Sequence, residues 1–523
     1  MKSIFGYELP EKSSCGVGFV VNKKNHYSHE IIKDALNALC SVEHRGACAS
    51  DQITSDGAGI MTEIPFELLG YERGTVAVAV IFVTREAEMQ RKLLNIFENT
   101  FSFFDMDILS YRTVPVNSVI LGEQGLKTMP HIIQAIIKRP VHCNTDGSFN
   151  RLLYTAIRMT FTKQKRLNPV PQFFLPSLSV NTIVYKALTK ANMLDKFYPD
   201  LQNPAFKSRF VMFHRRFSTN TVTSWDKAQP FRLIAHNGEI NTIEGNRSWA
   251  YSREKSMGLP RNELITHEGI SDSGSLNEMA EALMYRSSLP FIEDALALMI
   301  PPSDQKNLFY KFWSRAMEPW DGPALITYSD GEIVGARLDR NGFRPCRWAL
   351  TDEYFYLSSE AGSFTIDEDK IISKGALGAG SCVNVGLNTG GIEFKDPSKT
   401  RDNNKANFDT RLYKLGYAKP EKNTYQPKQK FLFNYTDEAV NKILIPMIKE
   451  GKEPIGSMGD TARPAILSSE VRSFFDYFYQ NFAQVTNPPL DYLREKMVTE
   501  LSVYLGPRPN IFAKKELIPP PIA

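Results

Sequence analysis

The segment Cys15-Gly16-Val17-Gly18-Phe19-Val20-Val21 sets a thiol at the head of a short glycine-and-valine strand, with only fourteen residues before it. Strands of this composition are buried, so the chain must build a sheet around the cysteine. Were the bond between Ser14 and Cys15 cut, Cys15 would carry both its sulfur and a free α-amine. A thiol titrates near ~8.5 and an α-amine near ~7.7 to 8.0, so the amine can take the proton as sulfur attacks a carbonyl and return it to the leaving nitrogen. No histidine is required. With Ser14 attached, the same nitrogen is an amide without basicity, and processing and activity become one question. A strand-opening cysteine by itself is more often a small buried hydrophobe, so its companions along the chain decide the reading.

A length of 523 residues suggests roughly two to four domains. The 42% hydrophobic and 23% charged fractions are those of an ordinary globular chain. Sixty-two basic and fifty-eight acidic side chains leave a formal charge of +4 with the basic residues scattered, which argues against nucleic acid as a partner. The six cysteines (15, 40, 48, 143, 346, 382) include no Cys-x-x-Cys pair and no zinc spacing with histidine. Reduced thiols in a cytoplasmic enzyme fit best. Met1 to Ser14 mix Lys2, Glu8, Glu11 and Lys12 with Pro10 and lack an apolar core, so they read as a short leader of a non-secretory kind. No window approaches the ~18 apolar residues of a membrane span.

Ser28 is a candidate cap for a helix with Ile31, Ile32, Ala35, Leu36, Leu39 and Val42 on one face, and Gly46 is expected to end it in the left-handed conformation. Thr75 to Val83 reads as a buried strand and Arg85 to Phe104 as a helix, whereas the chain from there to residue 210 yields no order. Two strands follow that end in polar clusters, Arg209 to Phe213 before His214-Arg215-Arg216 and Leu233 to Ala235 before His236-Asn237-Gly238. Residues 323–338 form a hairpin around Ser329-Asp330-Gly331. A polar stretch at 395–425 reads as a linker, and beyond it Thr436 caps one helix and Val471 to Tyr479 begins an aromatic-rich second.

The motifs Cys15-Gly16-Val17-Gly18-Phe19, Glu43-His44-Arg45-Gly46-Ala47, Arg216-Phe217-Ser218-Thr219-Asn220, Ala235-His236-Asn237-Gly238-Glu239, Ser271-Asp272-Ser273 and Asp339-Arg340-Asn341-Gly342-Phe343-Arg344-Pro345 occur in one order. In this set the chain resembles the amino-terminal part of the large subunit of glutamate synthase, whose first domain is a class-II glutamine amidotransferase. The resemblance implies an α+β fold, the Ntn-hydrolase four-layer αββα sandwich with two antiparallel sheets. It implies L-glutamine as substrate and a thioester on Cys15. Arg216 and Thr219 would hold the α-carboxylate, Asp272 the α-ammonium, and Asn237 and Gly238 the oxyanion. Arg45 would steady the substrate end of the site by holding the nucleophile's loop.

The resemblance divides the chain into a leader at 1–14, the amidotransferase domain at 15–395, a linker at 396–430 and a partial, mainly helical central-domain segment at 431–523. No residues match the family's flavin barrel or cluster cysteines. The expectation is therefore no cofactor in this chain, with FMN and an iron-sulfur cluster carried by a separate flavin-barrel chain that receives the ammonia. Aromatic residues from Phe474 to Phe482 exceed one helical face and mark the tail as a docking surface for that chain or, failing it, for a second copy. A free-standing glutaminase, another Ntn amidase and a catalytically idle glutamine-binding module are the competing readings.

Overall fold

The computed structural model describes residues 15–48, 51, 53–167, 172–216, 224–254, 265–267, 269–289, 291–303, 308–395, 427–433 and 435–451, with positions 454, 469, 471, 474 and 510–512 beyond. The chain divides into two compact units, Met1–Ala406 with Arg508–Pro519, and Asn407–Pro507 with Pro520–Ala523.

In the first unit the strand that follows Cys15, Gly16–Asn22, is central in a seven-stranded sheet. The order is Ser373–Ala376, Arg347–Leu350, Tyr354–Ser358, Gly16–Asn22, Phe210–Arg215, Ala58–Glu63, Thr182–Ala187, every pair antiparallel. A second antiparallel sheet orders Ile392–Lys395, Cys382–Gly386, Ile333–Leu338, Ala324–Ser329 and Ile234–Gly238. The expected hairpin of residues 323–338 supplies two of its strands.

Strand alternation explains how the sheets stack. Val17, Phe19 and Val21 share one core with Met212, Ala235, Leu325, Val334 and Val385, the layer between the two sheets. Val20 points the other way and joins Val211, Phe213 and the apolar face of helix Glu30–Ser41. Helices Asp272–Arg286 and Ile292–Met299 lie against the five-stranded sheet, where Asn277 Oδ1 accepts from the Leu233 amide at 2.9 Å and Glu293 meets Asn384 and Lys395. This is the αββα sandwich.

The structure adds a third sheet to the two expected, ordered Ile108–Thr113, His131–Lys138, Val76–Val83, Phe173–Ser179. Val76–Val83 is buried at every position, so both of its faces need cover. Helices Ala87–Ser102 and Asp146–Gln164 cover one face, and a core containing Trp225 and Phe197 covers the other.

Gly46 corrects a local expectation. Its φ of −84° is extended, and helix Glu30–Ser41 has already given way to a 3-10 turn at Glu43–Arg45. Glycine is needed there for space, because a Cβ at Gly46 would stand 1.8 Å from the Arg215 guanidinium. Gly16 is required in the same way, its Cβ position lying 2.4 Å from Val42. The alternating glycines of the opening motif thus let the helix and the neighbouring strands close on the strand that follows Cys15.

In the second unit, helix Pro427–Leu432 precedes Thr436, which caps as expected by accepting from the Ala439 amide at 3.0 Å. Asp437–Ala439, a π turn at Val440–Leu444 and Ile445–Glu450 follow. Apart from Val471 and Phe474, the aromatic stretch 471–479 lies outside the described residues, as do 396–426 of the linker. Among the described residues no helix is long and apolar enough to cross a membrane.

Candidate active site

Cys15 continues the alternation of Val17, Phe19 and Val21, and Asn237 that of Ala235, so both belong to the faces that the two sheets turn toward each other. The Cys15 backbone N–H donates to Asn237 Oδ1 at 3.1 Å, and Asn237 Nδ2 donates to the Cys15 carbonyl at 2.9 Å. One carboxamide therefore grips the Cys15 backbone from both sides. Nδ2 carries a second proton beyond the one given to the Cys15 carbonyl. Gly238 follows with φ of +150°, and a Cβ there would sit 1.8 Å from the Pro323 carbonyl oxygen, so only glycine fits.

Two opposed charges flank this pair. Arg216 sits in the left-handed region at φ of +86°, its N–H donating to the Gly57 carbonyl at 2.9 Å and its Nε 3.5 Å from Asp56 Oδ2. A non-glycine residue held there is a strained conformation of the sort that functional sites retain. Asp272 opens helix Asp272–Arg286 behind the Ser271 cap, and its Oδ2 accepts from the Ile240 amide at 3.0 Å. Burial pushes the Cys15 thiol up to about 11, against the pull of Arg216 and Arg344 and with a further push from Asp56 and Asp272. All four charged groups act on the sulfur.

The structure thus brings Cys15, Asn237, Gly238, Arg216 and Asp272 into one site. Thr219 lies outside the described residues. Arg45 Nε donates to Glu360 Oε1 at 2.6 Å, and His44 Nε2 contacts Glu360 Oε2 at 2.9 Å. Glu360 follows Ser359, which exchanges hydrogen bonds with Val17 of the nucleophile strand: Val17 N–H to Ser359 Oγ at 3.1 Å and Ser359 N–H to the Val17 carbonyl at 2.8 Å. Arg45 therefore acts on the neighbour of that strand.

Sequence reasoning passed over Arg344, quoted only as part of a motif. Its loop is clamped at the five-stranded sheet, with Arg340 paired to Asp321 through two contacts of 3.0 Å and Asp339 accepting from the Ala324 amide at 3.1 Å. Burial lowers the Arg344 pKa against the opposing pull of Cys15, Asp339 and Glu239. The available signal was its place in the motif Asp339-Arg340-Asn341-Gly342-Phe343-Arg344-Pro345.

The raised Cys15 pKa has a direct test. At pH 8 a thiol with pKa about 11 has roughly a hundredfold less thiolate than an ordinary one. In chain still carrying Ser14, iodoacetamide should label the exposed Cys48 first. Cys15 labelling should then climb about tenfold per pH unit from 8 to 10, followed by peptide mass spectrometry. Equal labelling of the two cysteines at pH 8 would contradict the buried thiol.

The chain is similar over nearly its whole length to known proteins. Ferredoxin-dependent glutamate synthase 2 of Synechocystis is 38% identical over 547 residues, covering 97% of this chain and 35% of that protein. The chloroplastic ferredoxin-dependent glutamate synthase 2 of Arabidopsis thaliana is 36% identical over 543 residues, 96% of this chain and 33% of its own length. The chain therefore spans about a third of the length of these relatives. A solved structure of the allosteric regulatory enzyme of purine biosynthesis is 12% identical over 74% of this chain and 50% of its own, with a TM-score of 0.36, too distant to bear on the site. A model of the glutamate synthase central domain matches residues 428–519. That of the class-II glutamine amidotransferases matches residues 15–410, most of the sequence and the whole of the site described, and the chain belongs to that family.

Proposed function

We propose that the chain hydrolyses the side-chain amide of L-glutamine to glutamate and ammonia, as the glutaminase part of a glutamate synthase. The observation that carries this reading is the Asn237 carboxamide bonded to both the N–H and the carbonyl of Cys15, at 3.1 and 2.9 Å. That grip ties the thiol to the strand that ends in Gly238, beside one cation and one anion for the two charged ends of an amino acid.

Once Cys15 is the first residue, its α-amine accepts the thiol proton as sulfur bonds to the amide carbon. The oxygen of the tetrahedral intermediate takes hydrogen bonds from the Gly238 N–H and the second Nδ2 proton of Asn237. Collapse breaks the carbon-nitrogen bond, the amine returns its proton to the leaving ammonia, and water then hydrolyses the thioester. Arg216 pairs with the α-carboxylate and Asp272 with the α-ammonium, which disfavours simple amides.

In this reading the chain works in the cytoplasm without a cofactor of its own. A separate chain supplies the flavin and cluster chemistry and takes up the ammonia. Exposed Phe433, Ile448 and Phe474 in the second unit support a docking role there. Intact-mass analysis alongside a glutaminase assay tests the whole reading: loss of residues 1–14 should accompany glutamate release, and processed chain without that activity would overturn it. Asp272→Ala and Arg216→Ala should each raise KM for L-glutamine roughly tenfold to a hundredfold, the loss of a charge-assisted contact of about 1.5–3 kcal/mol. Unchanged steady-state kinetics in both would point to a different substrate.

A further inference from the structure

His236 and Ser273 have no part in the chemistry above, yet each is buried at 1% exposure beside a residue that does. His236 precedes Asn237 on its strand, and Ser273 follows Asp272 at the start of its helix. His236 Nδ1 lies 2.8 Å from Ser273 Oγ, and Ser273 Oγ lies 3.4 Å from Asp272 Oδ1. The backbone of His236 is pinned as well. Its N–H donates to Gln229 Oε1 at 2.7 Å, and its carbonyl accepts from Gln229 Nε2 at 3.2 Å and from His214 Nε2 at 3.1 Å. With the other Asp272 oxygen accepting from the Ile240 amide at 3.0 Å, the oxyanion strand and the helix tip are tied twice.

The direction of the side-chain tie follows from proton counting. A carboxylate only accepts, so the serine hydroxyl gives its single proton to Asp272, and Nδ1 must then be the N–H that donates to Oγ. Burial holds His236 neutral, its pKa pulled down to about 4 against the opposing influence of Asp272. Nε2 is buried with no hydrogen-bond partner among the described atoms. This tautomer leaves it a bare lone pair, whereas the reverse would strand a buried N–H, the group that folded proteins least often leave unpaired.

We propose that His236 and Ser273 are positioning residues, a relay Nδ1–H to Oγ–H to Oδ1 that holds the Asp272 carboxylate in register with the oxyanion donors Asn237 and Gly238. The inference rests on the assignment of Asp272 to the substrate's α-ammonium. Its consequence is that recognition of the amino-acid end is set by the same strand that serves the reacting amide, so loosening the relay erodes discrimination before it erodes the fold.

The test is the ratio of kcat/KM for L-glutamine to that for glutaramate, the same amide without the α-amino group, in full chain whose Cys15 terminus is verified by intact mass. Ser273→Ala, which removes one oxygen, should lower the ratio about tenfold, as should His236→Leu. His236→Asn, which keeps an N–H donor near the place of Nδ1, should retain it. A merely structural role would depress both substrates alike and leave the ratio unmoved. A ratio within about twofold of wild type in Ser273→Ala overturns the relay, and that variant carries the test should His236→Leu not fold. Asp272→Asn separates the two levels. If it collapses the ratio while Ser273→Ala does not, only the relay fails. If it too leaves the ratio unchanged, the assignment of Asp272 to the α-ammonium fails with it.

Discussion

Cys15→Ala should eliminate glutamate release from L-glutamine, lowering kcat by about ten-thousandfold or more in a coupled glutamate assay. The expectation follows from how completely the site is organised around one atom. Asn237 grips the backbone of Cys15 on both sides, and the charges of Arg216, Arg344, Asp56 and Asp272 converge on its sulfur. Alanine keeps those backbone bonds, so the variant should fold and still bind L-glutamine by calorimetry while lacking the nucleophile. Cys15→Ser should be strongly impaired, because a hydroxyl is far less acidic than a thiol and gives its proton to the α-amine less readily. Persistent release in Cys15→Ala at near wild-type rate would falsify the assignment. Chain that still carries Ser14 should match the alanine variant, since an amide nitrogen cannot take the proton.

Arg215→Met should cost about 3–5 kcal/mol of stability, seen as a thermal midpoint lowered by several degrees in differential scanning calorimetry. Arg215 is wholly buried in the strand that flanks the nucleophile, in register with Gly16. All five of its N–H donors are used. Nε and Nη2 reach Glu43 at 3.0 and 2.9 Å, Nη1 reaches Asp56 at 2.6 Å and the Gly57 carbonyl at 2.9 Å, and Nη2 reaches Ser55 Oγ at 2.8 Å. Burial pulls its pKa down, and Asp56 and Glu43 more than offset this, so the guanidinium stays charged. Methionine fills the stem but leaves Asp56, itself only 5% exposed, as a buried anion without its main partner. Because Asp56 also contacts Arg216 and the Ala47 amide, the substrate end of the site should loosen with it. Lys24→Met, which breaks the exposed contact with Asp352, serves as a control and should leave the midpoint where it is. An Arg215→Met midpoint equal to wild type would show that the cluster is dispensable.

Much of the site was legible because its signals are local. A strand opened by Cys15, the hairpin of residues 323–338 and the buried strand Val76–Val83 each follow from side chains within a few positions of one another. The Thr436 cap was visible for the same reason. The motif residues Asn237, Gly238, Arg216 and Asp272 could be named from the chain, and the structure gathers them from positions more than two hundred residues from Cys15.

Other features depended on partners that no local pattern encodes. The third sheet was missed because His131–Lys138 becomes a strand by pairing with Val76–Val83 on one side and Ile108–Thr113 on the other. Gly46 was expected to supply a backbone angle, but what it supplies is room for the Arg215 guanidinium, which arrives from 169 positions along the chain. Of the doublet Arg215-Arg216, either could have faced a substrate. Arg215 ends its strand while Arg216 turns off it at a positive φ, and only the packed neighbours reveal that Arg215 is spent on Glu43 and Asp56 while Arg216 lies near the sulfur. By itself the sequence determined which groups are present and which short elements carry them, since propensity and spacing act over a few residues. The tertiary structure alone decided which of those groups meet, as with Asn237 turned onto the Cys15 backbone and His236 onto Ser273, because burial and hydrogen bonding are satisfied between strands and helices that the chain order keeps far apart.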